Sequence, residues 1–360
     1  CQYEGCNEPL WLDSLTKCEF NIAYIAHIIA DTPGGPRGDP VLSEKLASEL
    51  SNLMLLCDKH HRLIDKEDES GHPVERLRAM KNTHERRIEI VSGVTANKRS
   101  HILLYSANVG ELSSSVSYNH AASAMLPNWY PAETTPITLG MVNSSNQDRT
   151  PEFWEIENKH LRRMIDLQVR PRLALGLIQH LSVFAVAPQP LLILLGYLLS
   201  DLMTAEVYQF QREPQPRHWR WQEEPKEFSY LITEPEELKG PPALVMSLSA
   251  TIADDRVIAV LGNNVTIWHV TIDKPDNDFL KSKQQAQRFR QQIRNLMDRI
   301  KFRHGEAVTL HIFPAMPVAL AVEMGRIIMP KADLPFSIYD ENKGLGGFIH
   351  ALDINAGHIQ

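Results

Sequence analysis

The chain has 360 residues, 43% hydrophobic and 22% charged, the makeup of a packed globular protein that exceeds one compact core, so two domains are expected. Lys and Arg total 37 against 44 Asp and Glu, and the net charge of −7 excludes binding to nucleic acid through bulk charge, leaving at most a local basic face. The longest apolar run, near 190–199, is about half a membrane span and reads as a buried helix, and no signal-like segment is expected.

All four cysteines, Cys1, Cys6, Cys18 and Cys57, fall in the first sixth of the chain, too few for a disulfide scaffold and clustered as a metal site would be. Cys1-x4-Cys6 and Cys57-x2-His60 make two half-sites of thiolate and imidazole, the donors that structural zinc takes at tetrahedral spacing. A closed zinc site would staple a domain too small to hold itself together well. Cys18 lacks a spaced partner and is expected as a small core residue.

Between the half-sites run AHIIADTPGGPRGD (26–39) and NLMLLCDKHHRLIDK (52–66). His27 follows the β-like run IAYIA, a Gly/Pro-rich loop comes next, and His61 lies nine residues after Asn52. This His-Asn-His order, interlocked with the Cys/His pairs, resembles the HNH endonuclease family of the ββα-metal type over residues 1–90. The resemblance implies a phosphodiester hydrolase acting on double-stranded DNA, with His27 as general base, Asn52 fixing the His27 strand through backbone bonds, and His61 holding Mg or another divalent cation. Much of that family carries an Asp or His just before the base; here it is Ala26. A helix beginning near His60 puts Asp65 at i,i+4 from His61, so Asp65 is the expected substitute ligand. The 32–39 loop reads as a bare turn, with Arg37 reaching a DNA phosphate as the alternative.

Residues 73–91 read as a helix opened by Pro73, whose Arg76, Arg78, Lys81, Arg86 and Arg87 stand against Glu75, Glu85 and Glu89. That mix suits a phosphate-tracking face and a solvated one equally. The polar stretch 92–100 is the expected linker, giving domains at 1–91 and 101–360.

The second region carries a duplication. Phe184, Pro188 and Gly196 recur at Phe313, Pro317 and Gly325, an offset of 129 each time. The same offset takes the strand-like 136–142 onto 265–271 and the helix-like 152–168 onto 281–297, while 101–108 matches 244–251 at a different offset. Two α/β halves follow, about 101–211 and 244–360, each read as strand, strand, helix, strand, Pro-containing turn, helix, strand. Between such halves a crevice forms where strand C-termini and helix N-termini face a ligand, and closure of that crevice on the ligand is expected. Ser106, Asn108, Ser249 and Thr251 at strand ends, Gln189, Met316 and Pro317 at the paired turns, and Trp129 as a base-stacking surface are the expected ligand contacts. Trp219 and Trp221 are further stacking candidates, and the basic helix 281–303 reads as a solvated face or an oligomer contact.

SLSATI (247–252), TIWHVTI (266–272), HIFPAMPVALAVEMGR (311–326) and SIYDEN (337–342), in that order behind an HNH-like module, resemble the SAVED domain, built from two CARF/Rossmann-like halves. HNH–SAVED fusions are similar to effectors of cyclic-oligonucleotide anti-phage signalling (CBASS). The resemblance implies a cytoplasmic bacterial DNase, silent until a cyclic di- or trinucleotide second messenger binds, a cyclic GMP–AMP-like one favoured. It also implies a homo-oligomer, a dimer that assembles further on ligand binding, that degrades DNA in abortive infection. The competing readings are a sensing scaffold with impaired catalysis, which Ala26 keeps open, and a stand-alone restriction-type HNH nuclease.

Overall fold

The computed structural model describes residues 1–6, 8–11, 18–19, 21–93, 98–108, 116–141, 148, 150–200, 203–215, 217–225, 227–342 and 346–354. Its contacts divide the chain into two compact units, Cys1–Thr95 and Ala96–Gln360. Residues 94–97 of the expected linker lie outside the described residues. No described helix is long and apolar enough to cross a membrane.

In the first unit, β1 (Tyr24–His27), α1 (Leu42–Leu46), β2 (Leu53–Leu56), α2 (Asp58–Arg62) and α3 (Val74–Ser92) follow in chain order. β1 and β2 pair antiparallel with Ala26 opposite Met54 and His27 opposite Leu53. The strands alternate as a one-sided ribbon must: Ala26, Met54 and Leu56 are buried while Ile25 and Leu55 stay exposed. A π-type turn, Leu63–Glu67, continues α2, and α3 starts directly after Pro73 with Glu75 in its first turn. The N-terminal segment docks on β2, where Gln2 N–H donates to Leu55 O (2.9 Å) and Gln2 Oε1 accepts from Leu55 N–H (2.7 Å). Cys18, expected in the core, is exposed.

The second unit opens with β3 (Arg99–Ser106), α4 (Tyr118–Met125), β4 (Tyr130–Pro131), β5 (Ile137–Thr138) and α5 (Pro151–Met164), which a π-type turn joins to α6 (Arg170–Ala174). β6 (Leu181–Val186), α7 (Gln189–Leu199), β7 (Ala205–Val207) and the edge strand β8 (Leu231–Thr233) follow. Then come β9 (Pro242–Ser247), α8 (Asp254–Leu261), β10 (Thr266–Thr271), α9 (Lys283–His304), β11 (Leu310–Ala315), α10 (Val318–Arg326), β12 (Phe336–Asn342) and β13 (Gly347–Ile354).

The duplication is architectural. Among the described residues, one sheet runs β5-β3-β6-β7 and the other β10-β9-β11-β12 through its parallel strands, the same order twice. The second sheet adds antiparallel edges, β8 and β13. The offset of 129 carries β6 onto β11 and the start of α7 onto the start of α10. β3 and β9 need a correction: Ile102 pairs with Ser182 and Ala243 with His311, so the true offset is 141, two residues from the match 101–108 onto 244–251. Each strand carries an uninterrupted apolar stretch, Ile102–Tyr105 and Ala243–Met246, as parallel central strands buried on both faces do, and such stretches slide past each other in sequence without penalty.

α7 and α10 cross backbone to backbone on the pseudo-twofold axis. A Cβ on Gly196 would lie 1.9 Å from Val322 O, and one on Gly325 would lie 1.9 Å from Ile193 O. Glycine is required at both places, and the two contacts are equivalent under the repeat. Arg326, 3% exposed, donates to Ser200 O, Met203 O and Ala205 O past the end of α7 and pairs with Glu323. One hydrophobic core, including Leu103, Val183, Leu194, Trp268, Phe289 and Ile312, runs through both halves. The halves share this core, and α7 and α10 pack in backbone contact across the seam.

Candidate functional site

Cys1, Cys6, Cys57 and His60 bring one donor atom each to within 4.8 Å of one another. Cys57 Sγ lies 3.2 Å and Cys1 Sγ 3.6 Å from His60 Nδ1. Zinc with bonds of about 2.0–2.3 Å sets its ligands roughly 3.5 Å apart on a tetrahedral edge, so three sulfurs and an imidazole fit that ion. The arrangement comes from two elements: the strand-docked N-terminus delivers Cys1 and Cys6, while Cys57 at the start of α2 faces His60 one turn on. Tyr3 stacks on the His60 ring (4.1 Å) and its hydroxyl donates to His72 Nε2 (2.9 Å); His72 Nδ1–H in turn donates to Asp68 O (2.6 Å). Burial, with Lys59 and the N-terminal ammonium nearby, holds the His60 pKa below its ordinary value and so favours the neutral ring.

His27 ends β1, half-buried, with Nε2 3.0 Å from Ala47 O. A carbonyl only accepts, so Nε2 carries the proton of the neutral ring and Nδ1 keeps a free lone pair. Asn52 is buried and closes the loop between the strands: its amide donates to Ile29 O (2.8 Å) and Leu46 O (3.2 Å) and its oxygen accepts from Ile29 N–H (2.9 Å). His61 stands on α2 with its ring against Tyr24 (5.1 Å) and Nε2 3.3 Å from Asp65 Oδ2. Asp65 Oδ1 is 2.5 Å from Arg37 Nη2. Ala26 is 1% exposed and offers no ligand atom.

Arg37, expected either in a bare turn or on a DNA phosphate, is turned inward instead. Its guanidinium is not free for DNA, and the 32–39 loop is not a bare turn. Nε donates to Ile28 O (2.8 Å), Nη1 to Ile64 O (2.7 Å), and Nη2 to His27 O (3.3 Å) as well as to Asp65. Nothing in the spacing of a Gly/Pro-rich loop signals such an inward arginine.

In the second unit the chain reverses direction across each sheet between β3 and β6 and between β9 and β11, the switch points where open α/β sheets bind ligands. Ser106 and Asn108 sit at and beyond the end of β3, Ser249 and Thr251 beyond β9, Gln189 at the start of α7, and Met316 and Pro317 between β11 and α10. The structure thus brings seven expected contacts to the strand-end side. Gln189 Oε1 accepts from Met316 N–H (3.0 Å), Met316 is 3% exposed, and Ser249 N–H donates to Ala315 O (2.7 Å). Gln209, which sequence reasoning missed, accepts from Ala319 N–H (3.1 Å), so two amide oxygens from the first half satisfy amides at the start of α10.

Trp129 is corrected. It lies beside the starts of β3 and β6, with one face stacked on His180 (3.5 Å), Lys98 over the ring, and its indole N–H on Glu206 (3.0 Å). These contacts place it at the strand-start side of the sheet, away from the other expected ligand contacts. Trp219 is core, 4% exposed, packed on Phe184. Helix α9 spends its charges within the chain, Lys283 on Glu206, Arg290 on Glu323 and Arg294 on Asp333.

A family of sensor domains, SMODS-associated and fused to various effectors (SAVED), matches residues 161–354, more than half of the chain. No curated protein matches. Among solved structures, the Acinetobacter baumannii Cap4 SAVED/CARF-domain containing receptor with the cyclic trinucleotide 3′3′3′-cAAA is similar at 13% identity and TM-score 0.43, over 82% of this chain and 60% of that chain. The Moraxella osloensis Cap4 SAVED/CARF-domain containing receptor is similar at 13% identity and TM-score 0.39, over 78% of this chain and 57% of that one. This chain spans less than two thirds of either receptor.

Proposed function

Because the chain belongs to the SAVED family of sensor domains, we propose that it is a cytoplasmic anti-phage effector, a metal-dependent DNA endonuclease switched on by a cyclic oligonucleotide. The observation that carries the nuclease reading is the convergence of His27, Asn52 and His61 around one strand pair and one helix, behind a Cys3His cluster.

His27 Nδ1 takes the proton from a water that attacks phosphorus; a P–O bond forms, the P–O3′ bond breaks, and the leaving oxygen is protonated from solvent. Ala47 O fixes the His27 tautomer for that task, and Asn52 fixes the loop that presents it. His61 would hold the divalent cation, Mg2+ for example, which when bound offsets the charge that builds on the phosphate and leaving oxygen. Cys1, Cys6, Cys57 and His60 would hold a structural zinc. The cyclic di- or trinucleotide would bind across the strand-end switch points, where Ser106, Asn108, Ser249 and Thr251 supply hydroxyl and amide groups.

The halves share one core, so the ligand acts by creating a new self-complementary surface that drives dimers into larger assemblies rather than by hinge closure. Static light scattering with the activating ligand is expected to show a rise in mass. His27→Ala should lower plasmid cleavage by about 100-fold or more with zinc content and ligand affinity unchanged. Undiminished cleavage would remove His27 from the reaction; an inactive wild-type chain that still binds ligand would favour the scaffold reading that Ala26 supports.

A further inference from the structure

Arg37 bridges the two sides of the candidate nuclease site. It lies in the Gly/Pro-rich loop, yet its side chain is 6% exposed and its backbone sits at φ 56°, in the left-handed region that non-glycine residues rarely adopt. Four acceptors hold it there: three main-chain carbonyls, of His27, Ile28 and Ile64, and the Asp65 carboxylate. A guanidinium has five N–H groups in one plane and suits such a many-sided clamp; an ammonium does not.

Asp65 is held by this clamp on one oxygen, Oδ1, and faces His61 with the other, Oδ2. A carboxylate paired this closely with an arginine is a poor ligand for a second cation, because the incoming ion must compete with a bond already made and is repelled by the guanidinium. The same carboxylate is well placed for another task. Oδ2 lies 3.3 Å from His61 Nε2, within ion-pair reach, and an acceptor on that side favours the proton on Nε2 and leaves the Nδ1 lone pair to a cation, the relation by which carboxylates orient metal-binding histidines.

We infer that Asp65 and Arg37 are positioning residues, Asp65 orienting His61 so that Nδ1 meets the catalytic cation and Arg37 holding Asp65 while tying it to the backbone of the His27 strand. The inference rests on the proposed nuclease reading. It replaces the expectation that Asp65 ligates the cation, and it makes His61 the one protein ligand assigned among the described residues. It also gives Arg37 a double reach, to the carbonyl of the candidate base and to the residue that orients the candidate ligand.

The two roles for Asp65 predict opposite signs for one variant. If Asp65 orients His61, Arg37→Gln loosens the carboxylate and weakens cation binding, by about 10–100-fold on the scale of outer-shell partners. If Asp65 ligates the ion, removing the competing guanidinium frees Oδ1 and leaves binding equal or tighter. The experiment uses the full zinc-loaded chain with 15N-labelled histidine and Mn2+ as probe. Free Mn2+ is read by electron paramagnetic resonance, and ring nitrogens by long-range 1H–15N correlation. Expected are an Nε2–H tautomer for His61 in the Mn2+-free wild type, Mn2+ broadening centred on Nδ1, and weaker Mn2+ binding in Arg37→Gln. An Nδ1–H tautomer overturns the inference even if the variant fails to fold, because that arm uses the wild type. Equal or tighter Mn2+ binding by folded Arg37→Gln overturns it while the nuclease reading stands. Absence of Mn2+ at His61, together with no cleavage, defeats the nuclease reading itself.

Discussion

The two units are held together by different means. In residues 1–95 the described core gathers nine apolar side chains, among them Ile28, Met54, Leu56, Ile64 and Leu77, and the rest of the order comes from polar bonds. Asn52 closes the loop, Arg37 clamps strand to helix, Tyr3 and His72 brace His60, and three cysteines converge with His60. In residues 96–360 a continuous apolar core runs through both repeats, and its seam is sealed by two glycines in backbone contact. A small domain cannot bury enough surface to be independent of staples, whereas a large one can. Unit 1 orders its polar side chains through a network around a cluster able to hold a metal, while unit 2 orders itself through apolar packing.

The largest expected effect breaks unit 1 alone. Cys57→Ser, or removal of zinc by a strong chelator, should unfold residues 1–95, since metal binding free energy in such a module is folding free energy on the order of 10 kcal/mol. Limited proteolysis would show the N-terminal unit cut and the C-terminal unit intact. A chain that stays resistant throughout with no zinc bound would show that the staple is dispensable.

A smaller effect belongs to the seam of unit 2. Gly196→Ala puts a methyl 1.9 Å from Val322 O, so α7 and α10 must separate, at a cost of about 3 kcal/mol. Calorimetry should find the unit 2 transition lowered and the unit 1 transition unmoved. Gly325→Ala should match it, because the repeat makes the two contacts equivalent.

The smallest effect distinguishes the two halves of unit 2. Glu157 on α5 is 1% exposed and its Oε2 has no hydrogen-bond partner among the described residues, whereas the repeat places Ala286 at the equivalent position. Burial pushes the Glu157 pKa up to about 7 from 4.5. The folded state therefore binds the proton more tightly than the unfolded state, and stability contributed at low pH is lost as pH rises from 4.5 to 7. The loss is at most about 3 kcal/mol at pH 8. Glu157→Gln should match wild type at pH 4.5 and unfold several degrees higher at pH 8. A constant difference across that range would mean the carboxyl is not buried as a neutral group.

The repeat was legible because Phe, Pro and Gly punctuate it: the turn after β6 and β11 needs its proline, and the helix crossing needs Gly196 and Gly325. The β3–β9 match slipped by two residues because the apolar stretches at the centres of these strands carry no register mark. In unit 1, spacing alone grouped Cys1, Cys6, Cys57 and His60, since close sequence pairs must land close in space. What spacing could not give was the direction of a side chain. Arg37 points inward and Trp129 is covered by His180, facts settled by neighbours 28 and 51 positions away. The same holds for Gln209, whose partner Ala319 is 110 positions on.

The central claim is that unit 2 governs a reaction carried by unit 1, and plasmid cleavage by the full chain tests it most directly. Supercoiled DNA with Mg2+ and zinc-loaded protein is incubated with no ligand, and in parallel with each of a panel of cyclic di- and trinucleotides. The account predicts intact plasmid without ligand and rapid double-strand cutting with one or a few members of the panel. Cutting at the same rate with and without every ligand would contradict it.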